Sequence, residues 1–204
     1  MKRDERLQRW LEALADSPGL TSIPPCQAWR LLVEDALEAL PYLGQSGPVV
    51  DVGSGGGTPG LPVAASRPDF DVTLLESSER KAAFLNSVAP LFPNVRVVCG
   101  RAEEHGRAAG RDAYGVALAR ALAPQPVAAE WCLPLVRPGG LLVLYAGRPE
   151  PGLDRVATSL GSSPPQVAPV AGTRTKTLLL FRKLRATPER YPRRPGVARK
   201  RPLA

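Results

Sequence analysis

Histidine occurs once in these 204 residues, at His105, and cysteine only three times, at Cys26, Cys99 and Cys132. The thiols are scattered, odd in number and form no C-x-x-C pair, so neither a zinc site nor a disulfide framework is supported. Each cysteine reads as buried apolar filler, and His105 as an exposed helix end rather than a base. No apolar run approaches the roughly 18 residues that span a bilayer. The start MKRDERLQRW is charged and lacks the apolar core of a signal peptide, so a cytoplasmic location without a membrane partner is expected. Lysine is absent between Lys2 and Lys81, which removes the Lys-Ser/Thr pair that a mononucleotide phosphate loop requires after its last glycine. No internal repeat is present.

What the chain does have is concentrated in VVDVGSGGGTPG, Val49 to Gly60, where a hydrophobic strand runs directly into five glycines. Such a junction brings backbone close to a nucleotide-like ligand in a parallel α/β sheet. The dinucleotide fingerprint G-x-G-x-x-G fails, because counting from Gly53 and Gly55 its third position falls on Thr58. The remaining pattern, Asp51-x-Gly53-x-Gly55-x-Gly57, resembles the first motif of the class I S-adenosylmethionine methyltransferases, whose ligand carries no phosphate. An acidic residue is then expected at the end of the next strand to accept hydrogen bonds from a ribose diol, and FDVTLLES supplies Glu76. A tight turn without a ligand, and a solvated carboxylate at a strand end, are the plainer alternatives.

With 44% hydrophobic residues the chain can bury one full core, and two complete domains would be crowded. Helices are expected over 4–15 and 24–40. Strands and helices then alternate: strand 48–52, helix 58–66, strand 71–76, helix 78–90, strand 95–99, helix 102–109, strand 114–118 and helix 125–136. A turn at Pro138-Gly139-Gly140, the strand LLVLYA, a helix over 150–160 and edge strands over 166–170 and 175–183 complete the series. This is a Rossmann-like, doubly wound, mostly parallel seven-stranded sheet, with the ligand at the carboxyl ends of the first strands. The expected division is a helical cap over 1–44, a methyltransferase domain over 45–184 and a basic tail over 185–204.

The net charge of +8 is local, because from Phe181 onward nine basic residues face the single acid Glu189, while residues 1–180 balance. Proline and like charge oppose regular structure there, so the tail reads as a flexible arm for RNA phosphates, carried by Arg193, Arg194, Arg199, Lys200 and Arg201. A solubilising tail without a partner is the alternative.

Several further stretches extend the resemblance: LTSI at 20–23, VEDALEALPYL at 33–43, DVGSGGGTPGLPVA at 51–64, RPDFDVTLLESSERKAAFL at 67–85, GRAEE at 100–104, ARALAP at 119–124, WCLPLVRPGG at 131–140 and YPRRPG near the end. Over nearly its full length the chain resembles the RsmG family, also called GidB, bacterial methyltransferases acting on guanine N7 in the 530 loop of 16S rRNA. The resemblance implies S-adenosylmethionine as cofactor, with Asp51, Gly53, Gly55, Gly57 and Thr58 in the cofactor loop, Glu76 on the ribose, and Ala102 and Glu103 beside the adenine. It makes Arg120 the central catalytic residue, positioning either the methionyl carboxylate or the guanine. The implied partner is 16S rRNA, the small ribosomal subunit or an assembly particle, with a monomer favoured. Departures fall at Leu32, where many relatives carry histidine, at Ala36 for serine, and at Ala146 for lysine, which leaves Arg148 as a substitute RNA contact. The other reading is a noncatalytic RNA-binding or assembly protein on the same fold, or a methyltransferase for another nucleic acid.

Overall fold

The computed structural model describes residues 3–45, 47–170 and 177–203. The chain opens with α1 (Glu5–Ala15), whose first turn is capped by Asp4, the carboxylate accepting from the Arg6 N–H at 2.9 Å. Leu7, Trp10 and Leu14 fall on one face of α1 and are buried. A broken helical run follows: α2 (Pro25–Ala28), a π-helical stretch Trp29–Glu34, α3 (Asp35–Leu37) and α4 (Leu40–Leu43).

The alternation then proceeds as β1 (Val49–Val52), α5 (Gly60–Ser66), β2 (Val72–Glu76), α6 (Glu79–Val88), β3 (Val95–Cys99), α7 (Ala102–His105), β4 (Tyr114–Arg120), α8 (Gln125–Cys132) and β5 (Val136–Ala146). It ends with α9 (Leu153–Ser159), β6 (Gln166–Pro169), β7 (Thr177–Arg182) and α10 (Val197–Lys200). The strands form one sheet in the order β3-β2-β1-β4-β5-β7-β6. Strands β1 to β5 pair in parallel, and β7 runs antiparallel between β5 and β6. The order reverses between β1 and β4, which opens a crevice at their carboxyl ends.

Successive strand residues point to opposite faces, and both faces of the central strands are covered, so β1 and β2 are buried along their whole length. Val49, Leu74, Val116 and Val143 join α1, α5 and α6 in one half of the core. Val50, Leu75, Ala117 and Leu142 join α8 and α9 in the other.

Four expectations need correction. The helix expected over 102–109 ends at His105, and the one over 125–136 gives way at Leu133 to a short 3₁₀ turn. Pro138-Gly139-Gly140 does not precede a strand but lies inside β5, where Gly139 at φ +83° absorbs a register shift against β4. Cys26 and Cys99 are exposed and only Cys132 is buried. Of the edge strand expected over 175–183, residues 175–176 lie outside the described residues.

The largest correction concerns 185–204. The arm is folded against the body: Tyr191, Thr187 and Ala198 are buried, and Arg107 and Arg111 donate to the carbonyls of Pro192, Tyr191 and Thr187 at 2.6–2.8 Å. Lys183, fully buried just ahead of it, donates to the Leu133 carbonyl at 2.5 Å and to the Thr187 hydroxyl, and faces Asp112 at 3.6 Å. Burial lowers the Lys183 ammonium to about 8, against the opposing pull of Asp112.

Candidate active site

The turn after β1 is built for close approach. Gly53, at φ +72°, stands where an added Cβ would come within 2.4 Å of the Leu122 side chain, so any larger residue would push that side chain aside and strain the backbone. Gly57, at φ +107°, faces Leu61 and Trp10 instead, and the Trp10 indole N–H donates to the Gly56 carbonyl at 2.7 Å. Half of the glycine turn therefore serves packing against α1.

Asp51 lies beneath the turn, one oxygen accepting from the Gly60 N–H at 3.0 Å and the other buried without a hydrogen-bond partner among the described residues. Burial pushes this carboxyl up to about 7, against the Gly60 hydrogen bond that favours its ionised form. Glu76 ends β2, buried, with one oxygen accepting from the Gly55 N–H at 2.9 Å and the other from the Ser78 N–H at 2.8 Å. These two backbone donors fix the carboxylate beside the turn and leave lone pairs on both oxygens for a further donor.

A cleft of about 300 Å³ opens at these strand ends, walled by Gly53, Glu76, Ala102, Glu103, Trp131 and Arg199, with Leu122 and Ala121 on the β4 side. That size suits a small-molecule cofactor. The donor set fits S-adenosylmethionine: an acceptor carboxylate matched to a diol, a side-chain-free glycine wall and the buried Glu103, with no phosphate cradle. A second cavity of about 370 Å³ lies beside it, lined by Asp35, Arg120, Tyr145, Gly147 and Val170. Ala121 lines both, and its positive φ of 51° is a rare conformation for a residue with a Cβ, costing of order 1–2 kcal/mol.

The sequence-expected residues divide accordingly. Gly53, Glu76, Ala102 and Glu103 converge on the cleft. Asp51, Gly55 and Gly57 support the turn from behind or beside it. Thr58 points to the amino-terminal helices, its hydroxyl donating to the Leu32 carbonyl at 2.8 Å. Arg120 faces the second cavity, held by the Leu31 carbonyl at 2.7 Å and near Asp35 at 3.9 Å. Two sites of departure from the family pattern, Leu32 and Ala36, are buried and accept hydrogen bonds through their backbone carbonyls: Leu32 from Thr58, and Ala36 from the Tyr145 hydroxyl at 2.5 Å. A side-chain change leaves such contacts available.

Among the basic candidates, Arg148, Arg194, Arg199, Lys200 and Arg201 are exposed. Arg193 is turned inward as a bidentate partner of Glu130, at 2.7 and 2.5 Å, and is not a free phosphate contact. Arg199 sits over the Trp131 ring at 5.4 Å and lines the cleft. His105 is half-buried rather than exposed, hydrogen-bonded to the Tyr114 hydroxyl at 2.9 Å, and burial lowers its pKa. Trp131, Leu122, Ala121 and Arg199 were not foreseen as cleft residues. Trp131 and Arg199 meet only because the carboxyl-terminal segment folds back.

Comparison with known proteins settles the lineage. The family model described as GidB, rRNA small subunit methyltransferase G, matches residues 4–152. The chain belongs to this family. A ribosomal RNA small subunit methyltransferase G from Moorella thermoacetica is 38% identical over 191 residues, covering 87% of this chain and 79% of its own. The protein of that name from Symbiobacterium thermophilum is also 38% identical, covering 97% and 86%. A putative O-methyltransferase from Klebsiella pneumoniae shares the fold, with a TM-score of 0.59 at 20% identity over 91% of this chain and 92% of that one. As a GidB member the chain is an S-adenosylmethionine-dependent methyltransferase. No helix among the described residues is long and apolar enough to cross a membrane.

Proposed function

We propose that the chain transfers a methyl group from S-adenosylmethionine to N7 of a guanine in the 530 loop of 16S rRNA, in the cytoplasm and as a monomer. The observation that carries this reading is the pair of cavities that meet at Ala121, one furnished for an adenosyl group and the other, beside Arg120, open for a base.

When bound, S-adenosylmethionine supplies the electrophilic methyl group. The protein's residues supply placement. Glu76 accepts the ribose hydroxyls, its own position set by the Gly55 and Ser78 N–H groups. Ala102 and Glu103 flank the adenine. Arg120, braced by the Leu31 carbonyl, keeps donors for the guanine O6 or the methionyl carboxylate, and a fork of donors suits either.

Guanine N7 carries a lone pair and no proton, so no general base is required. This agrees with the placing of the chain's one histidine, His105, which lines neither cavity and is hydrogen-bonded to Tyr114. Alignment of acceptor and donor is the remaining demand, and it is worth up to about 7–11 kcal/mol. N7 lies on the Hoogsteen edge, hidden in the deep groove of an RNA helix, so the target is a loop or splayed guanine. The exposed Arg148, Arg194, Lys200 and Arg201 supply phosphate contacts.

The test uses small-subunit rRNA transcripts carrying guanine or 7-deazaguanine, which has carbon in place of N7. Methyl incorporation with guanine and none with 7-deazaguanine is expected. Equal incorporation into both would exclude N7 as the acceptor.

A further inference from the structure

The segment after β7 reaches the cleft through three contacts unrelated to RNA. The Gly196 N–H donates to Glu103 at 3.2 Å, joining the segment to the α7 wall of the cleft. Arg193 closes a two-bonded pair with Glu130 of α8, and donates to the Arg201 carbonyl at 2.7 Å, so both ends of α10 are tied down. Between them Ala198 is buried, and Arg199 projects over Trp131 into the cleft that also holds Glu76 and Glu103. A cation at 5.4 Å from a ring centroid is within range of attraction to the ring face, and that attraction orients the guanidinium plane.

We propose that residues 191–201 form a clamp on the cofactor cleft, with Arg199 as a cofactor-binding residue and the Arg193–Glu130 pair as the latch that holds it in place. The proposal rests on the reading of the cleft as an S-adenosylmethionine site. Adenine offers ring nitrogens as acceptors and a flat π face, and a guanidinium serves both, by donation or by stacking. Lysine, a compact point charge, serves neither as well. The clamp also explains why this basic segment is ordered against the body while carrying so many like charges: Glu130 and Glu103, both buried, meet it with opposite charge. Arg199 is exposed at the mouth of the cleft and lines it, whereas Arg194, Lys200 and Arg201 are exposed and do not line it, so one segment presents cations both to the cofactor and to solvent.

The test is calorimetry of the full chain with S-adenosylmethionine and with S-adenosylhomocysteine, paired with limited trypsin digestion. Arg199→Ala is expected to weaken both ligands roughly tenfold, and Arg199→Lys to restore little of this. Arg190→Ala, which removes an equal charge from an exposed site just ahead of the clamp, should leave affinity unchanged. The ligand should slow cleavage after Arg199 and Lys200 in the unaltered protein, and lose that protection in Arg193→Ala. Arg199→Ala binding as tightly as the unaltered protein, or cleavage indifferent to ligand, would overturn the clamp alone. Failure of the unaltered protein to bind either ligand would overturn the cofactor reading and the clamp with it.

Discussion

Replacing Arg193 by alanine strips the partner from a carboxylate that is 1% exposed. Glu130 lies in the middle of α8, a helix whose other inward residues are apolar, and Arg193 meets it with two hydrogen bonds at 2.7 and 2.5 Å. The loss of one partner from a buried pair costs about 3–5 kcal/mol, chiefly because the remaining charge stays desolvated. The chain has one way to limit this loss. If the segment over residues 191–201 lifts away, water reaches Glu130, and the cost is capped at the free energy of docking that segment. Either route lowers stability by a few kcal/mol, and for a protein of this size the thermal midpoint should fall by on the order of 10 °C. Urea unfolding followed by tryptophan fluorescence measures it, since Trp131 neighbours Glu130 in α8. The double variant Glu130→Met with Arg193→Met should recover most of the loss, because no charge is left buried. A loss under about 1 kcal/mol in Arg193→Ala, the range of a solvent-exposed pair, would refute the reasoning.

Three further outcomes are expected. Asp51 has a folded-state pKa of about 7 against the usual 3.8, so its protonation favours the folded state; that stabilisation is complete below about pH 4 and is lost as pH rises through 7. The unfolding free energy should therefore shed up to about 4 kcal/mol across that window, and Asp51→Asn should flatten the slope; denaturation at pH 5 and pH 8 checks this, and an unaltered slope would count against the buried carboxyl. Gly55→Val places a β-branched residue at φ +56°, a region such side chains avoid, and disturbs the N–H that holds Glu76, so calorimetry should find cofactor binding abolished. Arg120→Ala should cut methyl transfer by orders of magnitude while circular dichroism stays close to normal, and near-normal turnover would remove Arg120 from the reaction.

The glycine turn and its acidic partner were legible in the sequence because both obey backbone rules: a strand that ends in glycines must turn sharply, and a carboxylate at the end of the next strand lands beside that turn. Gly53 and Glu76 meet in the structure as that rule requires, with Gly55 donating to Glu76. The role of Gly57 was not legible. Whether a glycine faces ligand or a neighbouring helix depends on Trp10, which arrives from forty-odd residues upstream. The carboxyl-terminal segment misled for a similar reason. Its prolines and seven basic residues describe a local preference for extension and solvent, whereas its docking is decided by Glu130 and Glu103, buried acids far away in the chain. A lone acid in QPVAAEWC was the available signal, since a buried carboxylate requires a partner. Similarly, Cys99 sits at the end of edge strand β3, where alternation alone does not bury it.

The account turns on methyl transfer to one ring nitrogen of ribosomal guanine. Comparing 16S rRNA from cells with and without this protein, by mass spectrometry of nuclease fragments that span the 530 loop, measures it most directly. A 7-methylguanine present in the first and absent from the second is the predicted result; fragments of identical mass in both would contradict it.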